Sequence, residues 1–122
     1  MDMAIPMGDI TVGSMTVGSI TVRPEGEASV VTLVGEIDGS LRDAAGASMG
    51  AVALHTGSVV VDASALTFID STGLAFILQL YRLCQESGRT CMLRRPDTFL
   101  LQMLRIIGMG DHIPVEPAPV AC

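Results

Sequence analysis

Apolar residues along the chain fall into short β-type runs that alternate with longer stretches of helical spacing. The segment 29–38 is a nearly continuous apolar run, as expected of a strand covered on both faces. Shorter runs at 58–64 and 90–95 have the same character, and Ile20–Arg23 and 112–116 have the composition of short strands at the two ends. The pattern therefore predicts about five strands.

The first helix is predicted over residues 41–54, and its sequence is weak. Ser40 followed by Asp43 resembles a capping box that opens this helix. Gly46 and Gly50 each cost about 1 kcal/mol relative to alanine inside a helix. We expect this helix to gain its stability from docking onto the sheet.

Two stronger helices are predicted, one over 72–86 and one that begins at Pro96 and Asp97. Strands that alternate with helices predict parallel neighbours joined by right-handed crossovers. The short turn at 24–28 predicts that the first two strands are antiparallel. The sequence thus predicts a single small α/β domain, with a mixed, mostly parallel sheet of about five strands packed with three to four helices.

The ends of the chain differ from its centre. The segment ITVGS recurs as MTVGS and then as ITV, so we interpret 1–18 as an N-terminal extension that carries a short repeat. Residues 19–116 form the predicted domain, and the proline-rich 117–122 is a flexible tail. A Thr-Val-rich strand at the N-terminal edge can pair between molecules, so a monomer or a weak dimer is expected.

Composition narrows the function classes. The 122 residues carry a net charge of −6, all seven basic residues are arginine, and three Phe and one Tyr are the only aromatic residues. This composition predicts no nucleic-acid binding, which favours basic patches and stacking aromatics. A protein partner with a basic or mixed surface fits the charge better.

Cysteine use and hydropathy favour a cytoplasmic protein. Cys84, Cys91 and Cys122 form no C-x-x-C pair, which argues against a disulfide framework and a zinc site. The longest uninterrupted apolar stretch, LAFIL, is too short to span a bilayer, so no membrane association is expected.

The segment FIDSTGL, residues 68–74, joins an apolar run to the long helical pattern. Its chemistry is that of a helix N-terminus, with Ser71 as the N-cap. A phosphate on Ser71 would be tolerated by the free N–H groups and the helix dipole. With Asp70 alongside and Asp38 at the end of the earlier strand, it would make this surface strongly anionic.

Catalysis is the weaker interpretation of the same residues. A nucleophilic Ser71 needs a base, and nothing places His55 or His112, the only histidines, beside it. Asp62 and Asp70 are a weak signal for Mg²⁺, and neither a P-loop nor G-x-G-x-x-G is present. We therefore predict a protein that is not an enzyme, with no catalytic residues, no metal and no cofactor.

The segments VVTLVGEID and VVVDASALTFIDSTGLAFIL together resemble the anti-sigma factor antagonists of the STAS superfamily, over about residues 19–116. The resemblance implies a partner switch in bacterial transcription control. In that switch the unphosphorylated antagonist binds an anti-sigma factor, which is also a serine kinase, and so frees a sigma factor. The kinase phosphorylates the serine directly after the motif aspartate, here Ser71, which abolishes binding, and a serine phosphatase restores it.

The resemblance also implies site residues. Asp38 matches a family acid close to the phosphorylated serine, and Asp70 matches the motif acid. The predicted partner-binding set is therefore Asp38, Asp70, Ser71, Thr72 and Gly73, with Thr72 the second choice as phosphoacceptor. Two alternatives stay open: a constitutive STAS-type scaffold, and a small-molecule or nucleotide-binding module, neither controlled by phosphorylation.

Overall fold

The computed structural model describes residues 18–117. The predictions about the N-terminal repeat and the C-terminal tail fall almost wholly outside this range. Within it the elements follow in the order β1 (Ser19–Glu25), β2 (Ala28–Ile37), a 3₁₀ turn (Gly39–Leu41), α1 (Arg42–Ala53), β3 (Val59–Ile69), α2 (Ser71–Glu86), β4 (Cys91–Arg94) and α3 (Thr98–Ile106).

The four strands form one mixed sheet in the order β1-β2-β3-β4. β1 and β2 are an antiparallel hairpin, and the pairs β2–β3 and β3–β4 are parallel. The hairpin turns through Gly26, whose φ of 62° lies in the left-handed region that glycine adopts most easily. The predicted single α/β domain with a mostly parallel sheet is confirmed.

The predicted fifth strand is reduced to one bridge, between Val115 and Leu93. The Leu93 N–H donates to the Pro114 carbonyl at 2.9 Å, and the Glu116 N–H donates to the Leu93 carbonyl at 2.7 Å. Pro114 has no N–H to donate to the ladder, so the pairing does not extend toward the start of β4.

The core is aliphatic, as the shortage of aromatic residues predicts. Alternate residues of β2, β3 and β4 on one face of the sheet pack against the buried sides of α2 and α3. The largest fully buried side chains include Leu33, Ile37, Ile69, Ile77, Leu80, Leu93, Leu100 and Leu104.

The predicted capping box at the first helix is wrong. Ser40 lies inside the 3₁₀ turn, where its N–H donates to Asp38 Oδ1 at 2.9 Å and its hydroxyl donates to the same oxygen. α1 begins at Arg42, and Leu41 precedes it without a side-chain cap. Asp38 thus takes up the hydroxyl that the capping box would have used. The hydrogen bond from the Ser40 hydroxyl, and to a smaller extent the one from the Ser40 N–H, lower the pKa of Asp38.

β3 is longer than the sequence indicated. The predicted strand ended at 64, whereas β3 continues to Ile69. Two irregularities in the β2–β3 register leave extra residues on β3, after Asp62 and after Leu66. Such bulges break the period-two alternation of buried and exposed positions, and the segment therefore looked like a loop.

Arg94 of β4 forms ion pairs with the β1–β2 hairpin and with the C-terminal bridge. Its Nη2 lies 2.7 Å from Glu25 Oε2, and its Nε lies 2.6 Å from Glu116 Oε1. Hydrogen bonds from Arg94 lower the pKa of Glu25 and the pKa of Glu116. The three side chains thereby connect the β1–β2 hairpin, β4 and the C-terminal bridge.

The lowered pKa values predict an acid-dependent contribution to stability. A carboxylate whose folded pKa lies below the ordinary value of 4.5 stabilises the fold above that pH. The contribution is lost as the pH falls through the lowered value. We expect Arg94→Gln to reduce the melting temperature near neutral pH, and the difference from the unchanged protein to vanish in strong acid.

Thermal unfolding monitored by circular dichroism across this pH range measures the difference. Arg82→Gln is the matched control, since the exposed Arg82 of α2 forms no ion pair within residues 18–117. A difference for Arg94→Gln that persists unchanged into strong acid would contradict the assignment to Glu25 and Glu116.

Candidate functional site

The carboxyl ends of β2 and β3 lie side by side at one edge of the sheet. Ile37 and Ile69 are register partners, and the Asp70 N–H donates to the Ile37 carbonyl at 3.2 Å. Asp38 and Asp70 therefore leave neighbouring parallel strands at the same level. Open α/β sheets commonly bind their ligands at the carboxyl ends of the strands.

Asp70 is the N-cap of α2. Its backbone is extended, with φ −105° and ψ −170°, and its Oδ1 accepts hydrogen bonds from Thr72 N–H at 2.9 Å and Gly73 N–H at 3.1 Å. The prediction that Ser71 caps the helix is wrong. Aspartate and serine are about equally good N-caps. Asp70 is the cap here because β3 ends at Ile69, which places Asp70 directly before the first helical residue.

Ser71 is therefore the first helical residue of α2, and its side chain is exposed. Because Asp70 accepts hydrogen bonds from the N–H groups of Thr72 and Gly73, the Ser71 hydroxyl is not needed to cap the helix. It lies in the first turn, where the helix dipole favours negative charge. This hydroxyl is available for modification without loss of the cap.

The 3₁₀ turn that follows Asp38 lies against the start of α2. A Cβ atom built on Gly39 would lie 3.8 Å from Thr72 Oγ1, which is an ordinary van der Waals distance, so the turn lies beside the Thr72 side chain. Thr72 is half-buried at this contact, whereas Ser71 is exposed. The structure thus brings all five predicted site residues to one edge, with Ser71 the more accessible hydroxyl.

Gly73 allows α2 to sit tightly on the two strand ends. A Cβ atom at this position would lie 2.5 Å from Ile69 Cγ1 and 3.0 Å from both Ile37 Cγ2 and the Ile37 carbonyl oxygen. Real Cβ atoms do not approach side chains to 2.5 Å, so residue 73 must be glycine for this packing. Its role is to set the height of the helix start over the sheet.

A groove between α1 and α2 adjoins the site, and the sequence did not reveal it. Its volume is about 490 Å³, and Thr72 and Arg42 belong to its lining. The remaining lining residues are mostly small or apolar: Ala45, Gly46, Met49, Gly50, Ala53, Ala75, Phe76 and Gln79. The only sign of the groove in the sequence was the pair of glycines in the first helix, Gly46 and Gly50, which leave space beside α2.

The residues of the catalytic interpretation are not brought together. Asp62 Oδ1 accepts from Ser64 N–H at 3.0 Å and lines a different cavity, of about 540 Å³, with Arg94. His55 follows α1, and His112 lies in the turn after α3, so neither lies on the elements that carry Ser71.

Between residues 18 and 117, no three His, Cys, Asp or Glu side chains form a group that could hold a metal ion. None of the helices in that range is long and apolar enough to cross a membrane.

Replacing the cap aspartate tests the geometry of the helix start. Asp70→Ala removes the acceptor for two N–H groups, and we expect it to lower the free energy of unfolding by about 1 kcal/mol. Asp70→Asn should retain most of the stability, since asparagine caps as well as aspartate. Urea denaturation measures both; equal losses for the two variants would show that Asp70 acts through its charge instead.

Comparison with known proteins identifies the class. Residues 20–116 match the family described as "Mlab, STAS domain" (STAS_2). This match covers most of the chain, so the protein belongs to this family of STAS domains. No curated protein sequence matches the chain.

Solved structures agree with this assignment. A crystal structure of an anti-sigma factor antagonist from Mycobacterium paratuberculosis is 28% identical, covers 84% of this chain and 87% of its own, and superposes with a TM-score of 0.65. The anti-sigma factor antagonist SpoIIAA in its unphosphorylated form is 17% identical, with coverages of 83% and 90% and a TM-score of 0.68. The phosphorylated form of SpoIIAA from Bacillus is 19% identical, with coverages of 81% and 92% and a TM-score of 0.64.

Proposed function

We propose that this protein is an anti-sigma factor antagonist. Its unphosphorylated form binds an anti-sigma factor that is also a serine kinase, and binding releases a sigma factor. Phosphorylation on Ser71 abolishes the binding, and a serine phosphatase restores it. The observation that carries the proposal is the exposed Ser71 at the start of α2, whose hydroxyl is spared from capping by Asp70.

The relatives support this choice of function within the family. The Mycobacterium paratuberculosis protein, at 28% identity, is an anti-sigma factor antagonist. SpoIIAA, which shares the fold, exists in an unphosphorylated and a phosphorylated form. A protein of this fold can therefore carry a phosphate, and Ser71 is the site that we assign in this chain.

Electrostatics explains how a phosphate would end the interaction. It adds about −1.5 to −2 charge units at neutral pH. Asp38 and Asp70 already lie at this edge, and the whole chain carries a net charge of −6. A partner surface that accommodates the neutral Ser71 hydroxyl would have to desolvate the phosphate or face it with more cations. Binding is lost at the surface while the fold is retained.

The first turn of α2 can accept the modification without unfolding. Asp70 keeps the Thr72 and Gly73 N–H groups satisfied, and the positive end of the helix dipole partly offsets the added charge. The docking surface in this proposal consists of Asp38, Asp70, Ser71 and Thr72, and the buried Gly73 beneath it sets the height of the helix start. The protein acts as a non-enzymatic, cytoplasmic regulator of transcription.

Reconstitution with purified components tests the function. The chain is mixed with an anti-sigma factor kinase from the same genome that already holds its sigma factor, and the species are separated by gel filtration. We expect the sigma factor to be released, and release to fail after incubation with ATP until a serine phosphatase is added. Stable binding that ATP leaves unchanged would favour the constitutive scaffold.

A further inference from the structure

The cavity of about 540 Å³ that Asp62 lines lies where β4 ends, and we call it the β4 cleft. Its lining comes from β3, from the end of β4 with the residue that follows, and from the C-terminal bridge: Asp62, Ser64, Arg94, Arg95, Glu116 and Pro117. All of these side chains except the proline are polar, and four of them carry charge. The volume is in the range of small-molecule sites, so the charges on the walls decide what the cleft can bind.

Two of the four charges are already paired with each other. Arg94 Nε lies 2.6 Å from Glu116 Oε1, and Arg94 Nη2 donates to Glu116 Oε2 at 3.1 Å. The same guanidinium lies 2.7 Å from Glu25 Oε2, and Glu25 in turn lies 3.3 Å from Arg23. This network of two arginines and two glutamates balances its own charge, so it offers no free charge to a ligand in the cleft.

The other two charges are not neutralised by the protein. Asp62 accepts from the Ser64 N–H at 3.0 Å and from the Ser64 hydroxyl at 2.7 Å, and both bonds end on Oδ1. Oδ2 accepts no hydrogen bond within the described part of the chain. Arg95 is exposed, and no carboxylate of residues 18–117 lies within 4.0 Å of its guanidinium. The cleft therefore presents one unpaired anion and one unpaired cation on its walls.

The backbone of Arg95 has a conformation that arginine disfavours. Its φ is 52°, the only positive φ of a non-glycine residue among residues 18–117. Glycine adopts this left-handed region easily and asparagine tolerates it, whereas a residue that precedes a proline, here Pro96, prefers extended backbone. The turn from β4 to α3 alone would favour glycine at this position. The arginine is therefore explained by its side chain, since strained residues are often retained at binding sites.

We propose that the β4 cleft binds a free α-amino acid with an uncharged side chain, whose carboxylate pairs with Arg95 and whose ammonium group pairs with Asp62. A simple anion would meet Asp62 and a chain of net charge −6, and a simple cation would meet Arg95. A molecule that carries both charges pairs with both walls through charge-assisted hydrogen bonds. The closed pair of Arg94 and Glu116 leaves no charged partner for the ligand's side chain. The site is independent of the function proposed for Ser71.

Differential scanning calorimetry of the full chain tests the ligand class, because a ligand of the folded state raises the melting temperature. The probes are alanine, valine, leucine and glutamine, added one at a time at millimolar concentration. Acetate and methylammonium are the controls that carry a single charge. We expect at least one of the amino acids to raise the melting temperature and both controls to leave it unchanged. No shift with any amino acid, or an equal shift with either control, would overturn the proposal.

Two substitutions test the assigned contacts by calorimetric titration with the amino acid that gives the largest shift. Asp62→Asn keeps an oxygen that can accept from Ser64 but removes the charge, and Arg95→Asn removes the guanidinium at a position that asparagine tolerates. Each should weaken binding about tenfold or more, which is the effect of losing one charge-assisted hydrogen bond. Arg82→Gln on α2 is the matched control and should bind like the unchanged protein. Unchanged affinity in Arg95→Asn would overturn the proposal.

Arg95→Gly separates binding from stability. Glycine adopts a φ of 52° without strain, so the variant without ligand should melt at the same temperature as the unchanged protein or higher, yet lose the response to the amino acid. A full response in this variant would show that the arginine does not contact the ligand. A lower melting temperature would show that Arg95 is retained for the stability of the fold. Either result would overturn the proposal.

Discussion

Phosphorylation of Ser71 is expected to weaken binding to the anti-sigma partner by about 100-fold or more, because a like-charge contact in an interface costs several kcal/mol. The phosphate would stand beside Asp70 and close to the turn that follows Asp38. Calorimetric titration of the partner with the two forms of the protein measures the change.

Substitutions separate the effect of the phosphate from that of the side chain. Ser71→Ala should bind like the unphosphorylated protein and stay bound when ATP is added. Ser71→Glu should bind more weakly, though less so than the phosphorylated form, because it adds a single charge. Thr72→Ala is the matched control, and release by ATP should be retained in it. Loss of release in Thr72→Ala with release retained in Ser71→Ala would transfer the assignment to Thr72.

The second large effect is expected on the stability of the fold, when alanine replaces glycine at two helical positions. Gly73→Ala should destabilise the fold by about 1–3 kcal/mol, because its Cβ meets Ile69 at 2.5 Å in a filled core. Gly46→Ala should stabilise it by about 1 kcal/mol, because a Cβ there meets nothing within 4 Å and alanine is the better helix former.

Urea denaturation of both variants provides the comparison. The two substitutions are chemically identical, so opposite signs isolate the packing at the start of α2. Destabilisation by both, or by neither, would show that the close contact of Gly73 with Ile37 and Ile69 does not limit the fold. Loss of partner binding in a folded Gly73→Ala would further connect the height of the helix to the docking surface.

The order of the elements was readable from the sequence because its local signals agree with the fold. β-branched runs at 29–38 and 58–64 become buried parallel strands, and the 3.6-residue period of 72–86 becomes α2. The second half of β3 was not predicted, because its bulges disrupt the alternation of buried and exposed residues on which a strand prediction depends.

The helix starts show where sequence reasoning reaches its limit. Asp70 and Ser71 are both good N-caps, and only the position where β3 ends decides between them. At the first helix, Asp38 engages Ser40 and removes the capping box, which is a contact that spacing alone does not predict. The site residues themselves were named from motif and resemblance, and their functional roles remain predictions.

Contacts between residues far apart in the sequence could not be predicted from it. The Arg89 side chain, from the turn between α2 and β4, donates to the carbonyls of Gly57 and Val52, and these contacts depend on how α1, α2 and β4 pack.

The most direct test of the central claim is mass spectrometry of the protein isolated from its native cells, with and without phosphatase treatment. The account predicts one phosphate, localised to Ser71 by peptide fragmentation and removed by the phosphatase. A protein that carries no phosphate under any growth or stress condition would contradict the switch and favour a constitutive scaffold.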